Sequence, residues 1–482
     1  MKQLLIILTF IIPWLAFSQD CDCESAYNWV KKTIEENDAG FSYIIDSKGR
    51  KAFEVHNEVI GKKAKTISDQ TECTEVLKEW LEFFRSGHLS IKKVDNVNKT
   101  IEKTGKNKII EQYKDWEKLN IDINEFKKYL QTKKNTDFEG VWGGKAYKIG
   151  IKKVDNNYLG FIIEADGIYW TKGQIKLKID SNNKITYYKN DRSVNRFFDK
   201  AELIGNNYLQ MGFMFLERIN PVPENNPKIE EYIKTTRVRK PYFKKIDGQT
   251  NLLRIPTFYG AKTKIYIDSV ISVNRELILK MPNLIIDIRN NGGGSDRSFR
   301  EVKPFLYTNP IRQVGIEFLS TPLNNQRMLD FINDQKYGFD EEEKKWAQDS
   351  YDKLSKQIGE FVNLDSTDVS ITTFDSVYSY PKQIGIIINE YVGSSGEEFL
   401  LIAKQSKKVK LFGTTTMGVL DISNMYFVKS LCEKFELGYS LSRSMRIPEM
   451  TIDNIGFQPD YYIDKSIPKY EWVEFVTKTL KD

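Results

Sequence analysis

The sequence predicts a multidomain α+β protein, because helical, antiparallel and α/β patterns follow one another along the chain. Up to about residue 135, apolar residues recur at helical spacing, most clearly over residues 72–85. Between residues 138 and 220 they alternate with polar residues, as in the strands of a small antiparallel β module. From about residue 236, apolar strands alternate with helices, the pattern of an α/β domain.

The domain boundaries are placed where the periodicity changes, since a chain of 482 residues is long enough for two or three domains. The predicted parts are a signal peptide, a mostly helical domain, a β module and an α/β domain, at residues 1–18, 19–136, 137–235 and 236–482. Within the α/β domain, strands are expected at residues 251–256, 283–288, 384–389 and 409–412. Residues 323–365 are expected to form a charged helical insertion.

The N-terminus, MKQLLIILTFIIPWLAFSQ, is typical of a secretory signal peptide. One lysine precedes an apolar run, and the small residues before Gln19 predict cleavage after Ser18. The run is short and contains Pro13, which disfavours an uncleaved membrane anchor. We therefore expect an exported protein, periplasmic or extracellular, with no stable membrane insertion after cleavage.

The charge pattern argues against a nucleic-acid partner. The net charge is only +6, and the basic residues are spread along the chain among acidic ones. Lys103–Lys108, for example, is flanked by Glu102 and Glu111. Because no aromatic-basic motif accompanies these lysines, a solvated surface explains them better than an RNA or DNA footprint.

The four cysteines are Cys21, Cys23, Cys73 and Cys432. Export permits disulfides, and Cys73 lies on an amphipathic helix while Cys23 lies just before another one. The predicted pair is Cys23 with Cys73; Cys21 with Cys73 and free buried thiols are the alternatives. The cysteine spacing and a total of two histidines disfavour a zinc site, so no metal is expected.

The most informative stretch is IGIIINEYVGSSGEEF, Ile384 to Phe399. An apolar, β-branched run ends at Asn389, a Gly-Ser-Ser-Gly corner follows, and a helical pattern begins. A hydroxyl at such a corner projects beside the unpaired N–H groups of a helix N-terminus, which can stabilise a developing oxyanion. The pattern therefore predicts a nucleophilic serine.

Three segments carry a family resemblance: LIIDIRNNGGGSD (Leu284 to Asp296), VGSSGEEFLLIAKQSKKVKLFGTTTMG (Val392 to Gly418) and IDNIGFQPDYYI (Ile452 to Ile463). In this order they resemble the tail-specific, C-terminal processing serine peptidases, a group that includes the tricorn core protease. The resemblance covers about residues 240–465. It implies a catalytic domain of the ClpP/crotonase-like type, no metal or organic cofactor, and peptides or unfolded protein tails as substrates.

The resemblance also implies site residues. The family nucleophile falls on Ser394, with Ser395 as the alternative by one position. The Ser395 N–H is then one oxyanion donor, and a second is expected from the triple-glycine loop, at Gly292 or Gly293. Only glycine lets a backbone pass this close to a substrate carbonyl.

The general base is less obvious, because Val419 occupies the place at which many bacterial members carry a lysine. His88, in RSGHLSI, resembles the motif that supplies a histidine base in tricorn-type members, whereas His56 is expected to be a solvated helix residue. Asp453 occupies the place of an acid that would orient this base. An equally open alternative for Asp453 is a turn aspartate that binds nearby backbone N–H groups.

A rival hypothesis is non-enzymatic. With the lysine absent and histidine scarce, the fold could serve as a catalytically impaired, secreted peptide- or ligand-binding protein. Many members carry a PDZ domain in the place of residues 138–220, but the pattern here supports only a generic β-barrel-like or sandwich module. Peptide binding by this module is a hypothesis, and the sequence gives no indication of the oligomeric state.

Overall fold

The computed structural model describes residues 22–94, 111, 113–144, 146–165, 167–195, 198, 200–260 and 262–481. The predicted signal peptide and Cys21 lie outside the described residues. The described α-helices are α1 (Cys23–Asn37), α2 (Phe41–Lys48), α3 (Arg50–Thr66), α4 (Gln70–Glu82), α5 (Ile123–Thr132), α6 (Pro227–Arg237), α7 (Thr263–Ile278), α8 (Lys303–Leu306), α9 (Pro322–Asn333), α10 (Glu341–Ser355), α11 (Ser395–Ala403) and α12 (Trp472–Thr479).

The described strands form four sheets. They are β1 (Ser90–Lys93), β2 (Gly140–Gly143), β3 (Lys148–Val154), β4 (Asn157–Glu164), β5 (Ile175–Ile179), β6 (Ile185–Tyr187), β7 (Ala201–Ile204), β8 (Tyr208–Met211), β9 (Met214–Asn220), β10 (Tyr242–Lys245), β11 (Thr250–Arg254), β12 (Asn283–Asp287), β13 (Ile311–Val314), β14 (Ile316–Leu319), β15 (Phe361–Asn363), β16 (Val369–Thr372), β17 (Gln383–Ile388), β18 (Val409–Gly413), β19 (Ile422–Lys429), β20 (Phe435–Ser444) and β21 (Tyr461–Tyr462). As predicted, helices and sheets are combined in an α+β architecture.

The N-terminal helices pack around an aromatic core that includes Phe53, Trp80 and Phe84, and the Cys23–Cys73 disulfide joins α1 to α4. This is the cysteine pairing that the sequence favoured. Cys432 is disulfide-bonded as well, so free thiols do not describe these three cysteines.

The structure differs from the sequence-based expectation in how the helical part ends. Strand β1 pairs antiparallel with β20, and the helical core includes Leu437 and Tyr439 of that strand. Because the helices share one core with the β19–β20 hairpin, the N-terminal segment is joined to the C-terminal half by buried apolar surface. Near the C-terminal end of the predicted helical domain, the structure contains helix α5.

The β module is an antiparallel sheet in the order β6-β5-β4-β3-β2-β9-β8-β7. A bridge between Lys184 and Lys200, next to β6 and β7, brings the two edges together. The sheet therefore closes into an eight-stranded barrel in which each strand neighbours the next along the chain. Buried aromatic and aliphatic side chains, among them Trp142 and Trp170, fill its interior.

The α/β part is built on a six-stranded sheet in the order β10-β11-β12-β17-β18-β21. Strands β11, β12, β17 and β18, at the four predicted positions, are parallel neighbours. Their carboxyl ends therefore meet at one edge, where loops after β12 and β17 come together. The insertion forms α9 and α10, which pack over Met328, Leu354 and Val362.

Candidate active site

The serine corner follows β17 directly and starts α11. Ser394 has φ 53° and ψ −125°, is partly exposed, and its side chain makes no capping hydrogen bond. A non-glycine residue in this region costs on the order of 1–3 kcal/mol, so the surrounding structure must hold it there. The Ser394 N–H donates to the carbonyl of Val419 at 3.2 Å, and the Ser394 carbonyl accepts from the N–H of Glu397 at 2.7 Å.

The triple-glycine loop after β12 packs against this corner. Gly293 has φ 98°, and a Cβ atom added to it would lie 2.7 Å from the Cβ of Ser394. The Gly393 N–H donates to the carbonyl of Asn291 at 3.2 Å, which ties the two loops together. A side chain at position 293 would therefore push the loops apart, and glycine is required there for space as well as for conformation.

The two expected glycine donors differ in availability. The Gly293 N–H donates to the Oδ1 of Asn291 at 3.1 Å, so it is already committed within its own loop. The N–H groups of Gly292 and Ser395 have no acceptor among the described residues. Of the two glycines that the sequence left open, Gly292 therefore has the available N–H, together with Ser395 at the N-terminus of α11.

Glu397 fixes the loop behind the corner. It is fully buried, and its carboxylate accepts from the Thr416 hydroxyl at 2.6 Å and from the N–H groups of Gly418 at 2.7 Å and Val419 at 2.9 Å. Burial raises the pKa of Glu397, against the lowering effect of these hydrogen bonds. The glutamate thus aligns the turn by holding Val419 where its carbonyl accepts from the Ser394 N–H.

His88 lies in a turn between α4 and β1, also at φ 53°. Its Nδ1 atom is 2.7 Å from the carbonyl oxygen of Ile422. A carbonyl can only accept, so Nδ1 carries the proton and Nε2 is left with a free lone pair. Burial lowers the pKa of His88, which keeps the ring neutral at neutral pH. This tautomer is the one that a general base needs.

A buried ion pair supports the histidine turn. Arg85 donates to both carboxylate oxygens of Asp38, at 2.8 and 2.6 Å, and to the His88 carbonyl at 3.3 Å. The Ser440 hydroxyl donates to the same His88 carbonyl at 3.2 Å, and the Ser440 N–H donates to Asp38 at 3.1 Å. The turn is therefore fastened both to the N-terminal helices and to β20.

Val419 connects the two turns. A Cβ atom added to Gly87 would lie 2.2 Å from Cγ1 of Val419, and one added to Gly393 would lie 2.8 Å from its Cγ2. The residues just before His88 and Ser394 therefore pack on the two methyl groups of one valine. Val419, the position at which the family resemblance led us to look for a lysine, thus packs between the serine and histidine turns.

Asp453 does not take the role of orienting His88. Its Oδ1 accepts from the N–H groups of Leu420 at 2.6 Å and Asp421 at 2.7 Å, while Asp421 accepts from the N–H groups of Ile452 and Asp453. This corrects the orienting assignment, since the Ile422 carbonyl occupies the partner position of the imidazole Nδ1. Each aspartate thus binds the backbone of the other's loop and holds the two loops together. Burial and the nearby charge of Asp421 raise the pKa of Asp453.

The second histidine and an arginine beneath the glycine loop have structural roles. His56 is half-buried on α3, with Nε2 3.2 Å from the Trp80 carbonyl and its ring stacked on Phe83. Arg289 binds Asp287 through two nitrogen atoms beneath the glycine loop. No group of three or more metal-ligating side chains occurs within the described ranges. No described helix is both long and apolar enough to cross a membrane.

Comparison with known proteins finds a family match for part of the chain. Residues 249–463 match the model of peptidase family S41. No curated protein matches the chain. Mature CPAF complexed with lactacystin is similar in structure, with a TM-score of 0.52 at 14% identity over 95% of this chain and 97% of that one.

Two further solved structures have lower scores. The photosystem II D1 C-terminal processing protease has a TM-score of 0.40 at 11% identity, over 96% of this chain and 98% of that one. The tricorn protease has a TM-score of 0.37 at 13% identity, over 95% of this chain and 36% of that one.

The matched region contains the parallel strands, the triple-glycine loop, the serine corner and the clamped loops around Asp421 and Asp453. It is the part of the chain that the sequence motifs had pointed to. The chain is therefore a serine-type peptidase, and its residues 249–463 belong to peptidase family S41, the family of the tail-specific proteases.

Proposed function

We propose that the protein is an exported peptidase that hydrolyses peptides or unfolded protein tails with Ser394 as nucleophile and His88 as general base. The observation that carries the proposal is the arrangement around Val419, which packs between the two turns while its carbonyl holds the Ser394 backbone. The tautomer that Ile422 imposes on His88 supplies the basic nitrogen that a serine hydroxyl requires.

The proposed reaction follows from these groups. Nε2 of His88 takes the hydroxyl proton as Oγ of Ser394 attacks the scissile carbonyl, and the protonated imidazole then gives that proton to the leaving amine. The N–H groups of Ser395 and Gly292 receive the negative charge of the tetrahedral intermediate. Water, activated by the same histidine, releases the acyl group from the serine.

Export is the second part of the proposal. The N-terminal sequence has the form of a cleavable secretory signal. Disulfide-bonded cysteines in the N-terminal helices and in the C-terminal half are compatible with an oxidising compartment, because such bonds persist outside the cytosol. We place the mature protein in the periplasm or outside the cell. Export is tested by N-terminal sequencing of the secreted chain, which is expected to begin at Gln19.

The nucleophile is tested by labelling the mature chain with a fluorophosphonate, which reacts covalently with activated serines. Wild type is expected to be labelled at Ser394, and Ser394→Ala is expected to lose both labelling and at least about 10³-fold of peptide hydrolysis, since a nucleophile has no substitute. Ser395→Ala tests the alternative nucleophile and is expected to keep the labelling at Ser394, because it leaves the Ser395 N–H in place. Each variant is checked by circular dichroism.

Other outcomes of these experiments would contradict the assigned nucleophile or the proposed activity. Labelling of Ser395, or casein cleavage by a folded Ser394→Ala protein at the wild-type rate, contradicts the assignment of the nucleophile. If neither labelling nor hydrolysis occurs in folded wild type, the rival hypothesis of an impaired, peptide-binding family member takes its place.

A further inference from the structure

The α9–α10 insertion takes no part in the proposed reaction, but one end of it is fastened to the elements that hold the histidine. The Asn324 side chain of α9 donates to the Asn37 carbonyl at 2.9 Å and accepts from the Tyr439 hydroxyl of β20 at 3.0 Å. Both asparagines are buried. Asn37 directly precedes Asp38, the ion-pair partner of Arg85. This end of the insertion is therefore built on the support of the histidine turn.

The other end of the insertion reaches the segment that follows the glycine loop. Glu343, in the first turn of α10, forms an ion pair with Arg297. Arg297 belongs to the 3₁₀ helix Asp296–Val302, which begins two residues after Gly294. The second carboxylate oxygen of Glu343 accepts from the N–H of Asp340, the N-cap of α10, at 2.9 Å. One glutamate therefore joins the start of α10 to the glycine-loop side of the site.

The two attachments differ in strength. The contacts along α9 are buried, whereas the side chains of Arg297 and Glu343 are 54% and 20% exposed. An exposed ion pair contributes little to stability and is screened by salt. The two helices pack on a small core of their own, distinct from the core of the six-stranded sheet. Separation of α10 from the 3₁₀ helix would therefore expose little apolar surface.

The insertion completes a closed circuit of contacts that includes both catalytic turns. The glycine loop packs on the serine turn, and Val419 joins the serine turn to the histidine turn. Arg85 joins the histidine turn to the end of α1, and the insertion runs from there back to the segment after the glycine loop. The exposed Arg297–Glu343 pair is the contact of this circuit that opens most easily.

We propose that the insertion is a gate that determines which substrates reach Ser394, with the Arg297–Glu343 pair as its latch. This role rests on the proposed peptidase function and adds a selection among its substrates. With the latch closed, a short peptide enters freely. A segment that lies between two folded domains has no free end to thread, so it reaches the serine only when α10 separates from the 3₁₀ helix.

The latch is tested by hydrogen exchange on the full mature chain carrying Ser394→Ala, so that the result does not depend on peptidase activity. Glu343→Gln keeps an oxygen that can accept from the Asp340 N–H but loses the charge that attracts Arg297. Amides of Asp296–Val302 are then expected to exchange about two- to fivefold faster, since one exposed ion pair is lost. Glu341→Gln is the matched control, because it removes another carboxylate from the first turn of α10, one that pairs with Lys344. It should leave exchange at Asp296–Val302 unchanged.

The gate is tested by holding it closed. Arg297→Cys/Glu343→Cys, joined by a short bismaleimide, is expected to cleave an unfolded segment between two folded domains at least about tenfold more slowly, because α10 can no longer move away. Cleavage of a short peptide should stay within about twofold of the controls, which need no opening for it. The controls are the two single-cysteine variants treated with the same reagent.

The proposal is overturned if Glu343→Gln and Glu341→Gln give the same exchange at Asp296–Val302. It is also overturned if the cross-linked chain cleaves both substrates as fast as the controls, or loses both to the same extent. If the untreated wild type cleaves neither substrate, the proposed peptidase function fails, and the exchange measurement still decides whether the latch exists.

Discussion

The serine turn and the histidine turn adopt the same unusual backbone angle, φ 53° at both Ser394 and His88, but they are held by different kinds of contact. Apart from its contact with the glycine loop, the serine turn is set within residues 384–420: by its own strand and helix, and by Glu397 of α11, which binds the loop that follows that helix and β18. The histidine turn depends on partners far along the chain: Ile422 is 334 positions away from His88.

The difference separates two ways of building a site. A strand–turn–helix unit presents its serine wherever that unit folds, because local periodicity and glycines define it. The histidine is presented only when the N-terminal helices dock on the β19–β20 hairpin. Changes at the serine turn should therefore act on chemistry alone, whereas changes around the histidine should also report on docking.

The largest effect should come from the base itself. His88→Gln keeps a side chain that can donate to the Ile422 carbonyl but loses the basic nitrogen, so kcat/KM for a peptide substrate should fall about 10²–10⁴-fold. His56→Gln, at the other histidine, is the control and should stay within about twofold of wild type. Equal activity of His88→Gln and wild type would remove the histidine from the mechanism.

The second largest effect is expected when the N-terminal helices are held less firmly on the β19–β20 hairpin. Arg85→Met leaves Asp38 buried without its ion-pair partner and should lower the free energy of unfolding by about 3–5 kcal/mol, as measured by denaturant titration. Activity should fall as well, because Arg85 also binds the His88 carbonyl.

The matched control for this change is Arg237→Met at the exposed pair with Glu217, which should cost at most about 1 kcal/mol. A similar small cost at both positions would show that the buried pair does not hold the histidine turn.

The pH profile should show a smaller but characteristic change. The base works only when neutral, and burial lowers the pKa of His88, so kcat/KM should rise with pH through a midpoint below the ordinary value of about 6.5 and then level off. Rates on a small peptide between pH 4 and pH 8 test this. A midpoint above 7 would mean that another group controls the reaction.

The smallest effect is expected at Asp453. Because its Oδ1 only accepts from two backbone N–H groups, Asp453→Asn keeps an acceptor in place and should reduce kcat/KM less than about tenfold. A carboxylate that orients a catalytic histidine would instead lose about 10⁴-fold on the same change. Steady-state kinetics of the folded variant therefore distinguish an aspartate that holds two loops together from one that orients the catalytic histidine.

The local pattern of the sequence was enough to predict the strands that carry the site, the serine corner and the glycine loop. The four strands appear within a few residues of their predicted positions, because apolar runs and the glycines that end them encode local structure. The sequence did not show that the Gly293 N–H donates to the side chain of Asn291, which leaves Gly292 as the available glycine donor.

Only the tertiary structure decided how the histidine is held. Arg85, Asp38, Ile422 and Ser440 form no motif, since they lie in separate elements that meet through buried apolar surface and not through spacing along the chain. The same packing placed Val419 between the two turns and gave Asp453 a backbone partner. Side-chain periodicity specifies which elements form, but the hydrogen-bond partners across them exist only after those elements have packed.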